Sequence, residues 1–591
     1  MKKTILILAG LLSLNLSAAV PPPEKLLPAN TFGFLTVPDA NALRGAGEAS
    51  ASSKMWNDPA MAAFAKKVED GLREMILDPL REQAGIEPAE YLELAQGQVT
   101  VALTDSLFDR DLPGLLLLVD SAKKADALEG KLKKLRDTLR EQDQPFAKRL
   151  IRGVEFTAIR PPAEGPEILI GLSDTLLVMG INDRDVEKVL VAQAGGGVKA
   201  LSGRPSYMRR HNAQFRNALG FGWLDFSTVL EKVLAEIEER AENDDPDAGN
   251  PLGITPDGVI TAIGLKGIQA ISVSYHSDGG DLLEVSIDAP KAQRLGLLKM
   301  AASGAGEDAS PPAFVGENVM TFGRSRANLQ QIWNDLEKML GDISPQAQLA
   351  LGLVEQAVKN QDPDFRLKED FINTLGDDLI TLGWAPEGND LEALASAPTV
   401  YLIKSNKPQT TIASILTIAS LGLPAPEKRE FLGRTIHSFE FGGGFDNEAP
   451  QMGLHLSNAG GYLVMTDNRK ALEDYLRGPG ENQKPLAAKQ QLKAAAERIG
   501  GMKTGSFSYQ NDAKIVGMLF GAVRNNPDLL DAILGAIPNN GGGPDLDWLD
   551  FKLLPEFKKV RKYFNFSLYT IGADDQSIRL RLFSPTPPGL E

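Results

Sequence analysis

The side chains of this chain with most chemical potential are its four histidines, and two of them, His437 and His455, fall on consecutive strand candidates. Imidazoles placed that way could share a metal ion. A metal site needs three or four ligands in fixed geometry, and the chain has no cysteine to complete one. The competing reading is two half-exposed histidines on a sheet. The run Glu242-Asn243-Asp244-Asp245-Pro246-Asp247 is dense in oxygen ligands. Placing Asn243, Asp245 and Asp247 at the first three positions of a calcium loop leaves Ala248 where glycine belongs and Ile254 where the bidentate glutamate belongs. It reads as a solvated acidic loop. Glycine runs at 195–197, 442–444 and 541–543 lack both the Lys-Ser/Thr ending of a phosphate loop and the spacing of a dinucleotide fold. Ser506 follows Gly505 without the rest of a nucleophile elbow. Trp-Asn-Asp occurs twice, at 56–58 and 333–335. A tryptophan anchoring a helix to a sheet, beside a polar cap, accounts for both; a repeated binding element is the alternative. With 78 acidic residues, any carboxylate pair can arise by coincidence. No catalytic, cofactor-binding or metal-ligating residue is assigned, and no cofactor.

Other features bound the setting. Met1-Lys2-Lys3, an apolar run to Leu16 and the small residues Ser17-Ala18-Ala19 read as a secretory signal peptide cut between Ala19 and Val20. The apolar run is short for a membrane anchor, and no later stretch is long enough to span a bilayer; the richest, Ile412 to Leu423, contains Ser414, Thr417, Ser420 and Gly422. The expected location is therefore periplasmic or secreted. Without cysteine there are no disulfides and no thiol chemistry, so stability rests on packing. A net charge of −16 opposes nucleic acid and anionic lipid as partners. Lys558, Lys559, Arg561 and Lys562 read as a solvated face.

The elements that would position any site repeat along the chain. Arg152 and Arg434 are 282 residues apart, Met179 and Met465 are 286, and Arg184 and Arg469 are 285. A drift that small is the size of a loop insertion, and predicts a duplicated unit of roughly 280 residues. Strands are expected at Thr31 to Val37, Gln98 to Leu103, Leu115 to Val119, Gly153 to Ile159, Glu167 to Leu172, Thr175 to Ile181 and Phe221 to Leu224, with a hairpin across Asp278-Gly279-Gly280. Leu128, Leu132, Leu135 and Leu139 step by four, three and four onto one helix face. Asp183 is read as the cap of a further helix. The second copy follows in the same order, from Val319 to Phe583.

Leu26-Leu27-Pro28-Ala29-Asn30-Thr31, Val37-Pro38-Asp39 and Trp56-Asn57-Asp58-Pro59 together form an opening that resembles a family of large exported bacterial proteins carrying a domain of unknown function. The resemblance covers about the first 60 residues and brings no activity or site residues with it. The fold expected is α+β: two homologous halves, each a mostly antiparallel sheet with helices packed on one face. The organisation expected is a signal peptide at 1–19, a first repeat at 20–302, a linker at 303–313 and a second repeat at 314–591. The function expected is that of an exported, non-enzymatic binding or scaffolding protein with a protein or cell-envelope partner. Its alternatives are a periplasmic carrier of an apolar ligand held between sheet and helices, and a hydrolase with a site in the cleft between the halves.

Overall fold

The computed structural model describes residues 20–78, 93–105, 114–160, 165–243, 254–388, 397–441, 452–478, 480, 483–526 and 548–590. The signal peptide through Ala19, most of the acidic run from 244 on, and the glycine runs at 442–444 and 541–543 lie outside the described residues; Val20 is the first one inside.

The fold is α+β with antiparallel strand pairing. Two compact units can be separated: Met1–Gly45 with Gly85–Asp225, and Ala46–Ala84 with Phe226–Glu591. Residues 46–84 and 226–302 thus group with the second unit. Residues 303–313 are packed inside that unit too: Ala309 is fully buried and its amide donates to the Met502 carbonyl at 2.9 Å.

In the first unit the strands are β1 (Thr31–Val37), β2 (Val99–Thr104), β3 (Gly114–Asp120), β4 (Phe146–Ile151), β5 (Val154–Ile159), β6 (Ile168–Ser173), β7 (Leu176–Gly180) and β8 (Gly220–Leu224). They pair antiparallel in the order β8-β1-β2-β3-β7-β6-β5-β4. Alternation decides which side is buried. Phe34, Ala102, Leu116, Val178 and Leu169 come from five strands and are all buried, whereas Leu35 and Val101 on the reverse face are exposed.

The second unit contains β9 (Ala270–Ser277), β10 (Gly280–Asp288), β11 (Thr321–Ser325), β12 (Leu375–Gly383), β13 (Thr399–Ser405), β14 (Glu427–Phe431), β15 (Arg434–Phe441), β16 (Met452–Ala459), β17 (Tyr462–Thr466), β18 (Ser506–Gln510), β19 (Ser567–Ala573) and β20 (Ser577–Pro585). The order β18-β11-β12-β13-β17-β16-β15-β14 repeats that of the first unit strand for strand. β19, β20, β10 and β9 continue the sheet beyond β18.

The registers refine the sequence match. Arg152-Gly153 form the two-residue turn between β4 and β5, with φ of 52° and 84°; Leu432-Gly433 form the turn between β14 and β15, with φ of 50° and 72°. Left-handed φ at both positions gives the twist that a tight hairpin requires. The counterpart of Arg152 is therefore Leu432. Arg434 opens its strand two residues later, where the first unit has Val154.

Among the helices are α1 (Pro23–Leu26), α2 (Asp183–Gln193) and α3 (Arg469–Arg477). α2 and α3 follow β7 and β17 in the same way. Their caps are Asn182 and Asn468, whose side chains accept from the amides of Asp185 and Ala471 at 2.9 and 3.0 Å. The expected cap Asp183 is the first helical residue instead; an asparagine with extended backbone satisfies the free amides of the first turn better. Gly180 permits α2 to close on the sheet, since a Cβ there would meet Val186 Cγ2 at 2.6 Å.

Candidate functional site

The sequence-selected residues are dispersed. Ser438 lies directly opposite His455, and His437 lies opposite Leu456, so the two histidines project from opposite faces of the β15–β16 pair. His455 Nδ1 lies 2.9 Å from Ser438 Oγ. Burial, aided by Arg469 for His455 and by Lys428 for His437, lowers the pKa of both imidazoles. Among the described residues no cluster of three metal-ligating side chains occurs. Trp56 packs edge-on to Phe64, with ring centres 6.3 Å apart, and Trp333 packs against the cluster of Val358, Phe365 and Leu367. Asp58 accepts from the Tyr563 hydroxyl at 2.7 Å and pairs with Lys562 at 2.9 Å. Asp335 pairs with Lys299 at 2.6 Å. Both Trp-Asn-Asp elements are thus tied into packing.

A cavity of about 830 Å³ lies in the second unit, within the size range of small-molecule sites. The β11 approach supplies Phe314, Val315 and Val319, the β12 end supplies Leu382 and Trp384, the β16–β17 turn supplies Tyr462, and α3 supplies Ala471, Tyr475 and Leu476. Arg434, at the start of β15, completes one wall. The Phe314 and Tyr462 rings meet edge to face at 6.3 Å.

A charged support holds this wall in place. Tyr462 donates its hydroxyl proton to Asp378 Oδ2 at 2.8 Å, and Arg324 grips the same carboxylate with two bonds of 2.8 Å. Burial pushes the Asp378 carboxyl upward, but these hydrogen bonds and the Arg324 and Arg326 charges outweigh it and leave its pKa below the usual range. Lys404 Nζ lies 4.7 Å from the centre of the Tyr462 ring. Lys470 pairs with Glu387, both highly exposed, and Asp474 pairs with Arg477. The Arg434 guanidinium has no ionic or hydrogen-bonding partner among the described residues.

At the corresponding place in the first unit the described residues are of different types. Register aligns Phe314 with Leu26, Leu382 with Ala102, Tyr462 with Leu176, Ala471 with Asp185 and Tyr475 with Val189. Leu26 of α1, Leu176 and Val189 are fully buried. Thr104, which answers Trp384, donates to Asp185 Oδ2 at 2.5 Å, and Lys188 pairs with Asp185 at 3.1 Å. Among the described residues, leucine, valine and a hydrogen-bonded polar cluster stand where aromatic side chains line the cavity of the second unit. Sequence reasoning searches for groups that repeat; the signal lies in positions that differ, Arg434 against Val154 and Trp384 against Thr104.

No protein-family model, no curated protein and no solved structure matches the chain.

Proposed function

We propose that the protein is an exported, non-enzymatic binding protein that holds a small molecule with a substantial apolar part in the cavity of its second unit. The observation that carries this reading is the cavity itself, lined by aromatic rings at positions where the described residues of the first unit carry fully buried leucine and valine on the same strand order. Packed interiors leave few voids larger than a water molecule, so a cavity of this size beneath aromatic side chains is consistent with an occupant. The same strand order supports descent of the two units from one ancestor, with the second specialised for ligand. Export is the reading of the leader ahead of Val20, and a periplasmic or secreted location goes with it.

The test uses N-phenyl-1-naphthylamine, a neutral probe that brightens in apolar sites. The purified protein should bind it saturably. Ala385, exposed at the cavity rim, offers a blocking position: Ala385→Trp should weaken uptake by about tenfold without lowering the melting temperature. No uptake, or uptake indifferent to that substitution, rejects the reading.

A second reading, scaffolding, has its own observation. Leu283 on β10, Leu580 on β20, and Tyr569 and Ile571 on β19 share one sheet face and are all more than a third exposed. A protein partner covering them would protect that face from hydrogen exchange.

A further inference from the structure

The ligand class of the cavity can be narrowed, granted that the cavity binds a ligand at all. We propose that it selects molecules that join a flat apolar body to a single anionic oxyacid group, and that Arg434 is the residue that receives the anion. Charge pairing along the wall leads to this assignment. Lys470 is neutralised by Glu387, and Asp474 by Arg477. Arg324 is engaged by Asp378. Among the described residues Arg434 alone of these lacks a counter-ion, and it stands near enough to Tyr475 for its charge to act on the phenol. A half-buried guanidinium without a partner is costly, and a planar oxyanion meeting its fork of donors offsets that cost.

The position itself agrees. Arg434 stands where the first unit has Val154, so the cation belongs to the unit whose aromatic side chains line the cavity. In a chain of net charge −16, an uncompensated cation inside a cavity is a local reversal of sign. Around it, Phe314, Trp384 and Tyr475 offer ring surfaces suited to a flat body. Burial raises the Tyr475 hydroxyl to about 12, so it remains a neutral donor beside Arg434 at physiological pH.

Two probes that differ only in the anion decide the matter: N-phenyl-1-naphthylamine, and the same skeleton bearing a sulfonate, 1-anilinonaphthalene-8-sulfonate. Titrated into the purified protein, the sulfonate should bind at least ~10-fold tighter, the scale of one charge-assisted contact. Arg434→Gln should erase that preference, read as the ratio of the two probes' affinities in the same variant. Arg434→Lys should restore part of it, and circular dichroism checks that both variants fold. Equal binding of the two probes, or a preference that survives Arg434→Gln, overturns the anion proposal while the binding reading stands. Failure of both probes to bind removes both.

Discussion

The hydroxyl of Tyr462 and the carboxylate of Asp378 lie 2.8 Å apart, so a residue lining the cavity is fastened directly to an ion pair whose carboxylate is buried and whose guanidinium is largely so. Removing one member of such a pair leaves the other charge buried and uncompensated. Asp378→Asn should cost about 3 kcal/mol at pH 7, read by urea denaturation. The pH dependence has a definite sign. A carboxyl whose folded pKa is depressed stabilises fully above its unfolded value, about 4, and that stabilisation is lost as pH falls through the folded value. The gap between wild type and variant should therefore narrow below about pH 4. A constant gap down to the acid transition would contradict this.

Leu26 and Phe314 occupy matching positions with opposite surroundings. Leu26 is 0% exposed and Phe314 is 36% exposed. Truncating a buried leucine costs about 2–5 kcal/mol through lost burial and a new void. Leu26→Ala should fall in that range by chemical denaturation, whereas Phe314→Ala should cost under ~1 kcal/mol, as expected of a surface change. Equal costs would mean that the two positions are not packed differently.

Gly180 faces Val186 Cγ2 at 2.6 Å and Leu116 Cδ2 at 3.1 Å from the position a Cβ would take. Gly180→Ala should destabilise by ~1–3 kcal/mol through overpacking. Gly323 supplies the control: its nearest neighbour would be Ser508 Oγ at 3.5 Å, an ordinary contact. Gly323→Ala should be neutral within ~0.5 kcal/mol when the two variants are compared by thermal unfolding.

His437 and His455 both have folded pKa values lowered chiefly by burial. For each, stabilisation is complete above the unfolded value of about 6.5 and declines as pH falls through the lower folded value. The protein should lose stability as pH falls below about 6.5. In the His437→Gln/His455→Gln double variant the slope of melting temperature against pH should flatten below that pH. An unchanged slope would assign the effect to other groups.

Much of the scaffold is legible in the sequence, because buried alternation leaves a strong mark. The pattern places Thr31 to Val37 to the residue, and the starts of the strands at Gln98 and Leu115 to within one. β4 and β14 escape it for one shared reason. They end their strand orders, none of their residues, Phe-Ala-Lys-Arg-Leu-Ile and Glu-Lys-Arg-Glu-Phe, is buried, and both carry charged side chains. Edge strands carry such charges to discourage further pairing, and the same charges hide them from a search for hydrophobic alternation. The cavity is illegible for a different reason. Its residues come from segments far apart in sequence, and only strand register shows that Arg434 corresponds to Val154.

The placement of β1 bears on how the chain can travel. Phe34 sits between β2 and β8, opposite Ala102 on one side and Trp223 on the other; β11 stands likewise between β12 and β18. In each eight-strand order, the strand synthesised first is seated between an early neighbour and the last one made. Neither order can close until its far end has been delivered, which delays productive folding. On the proposed reading of an exported chain, such a topology would keep the leading segment uncommitted during transit and let closure happen only on the far side of the membrane.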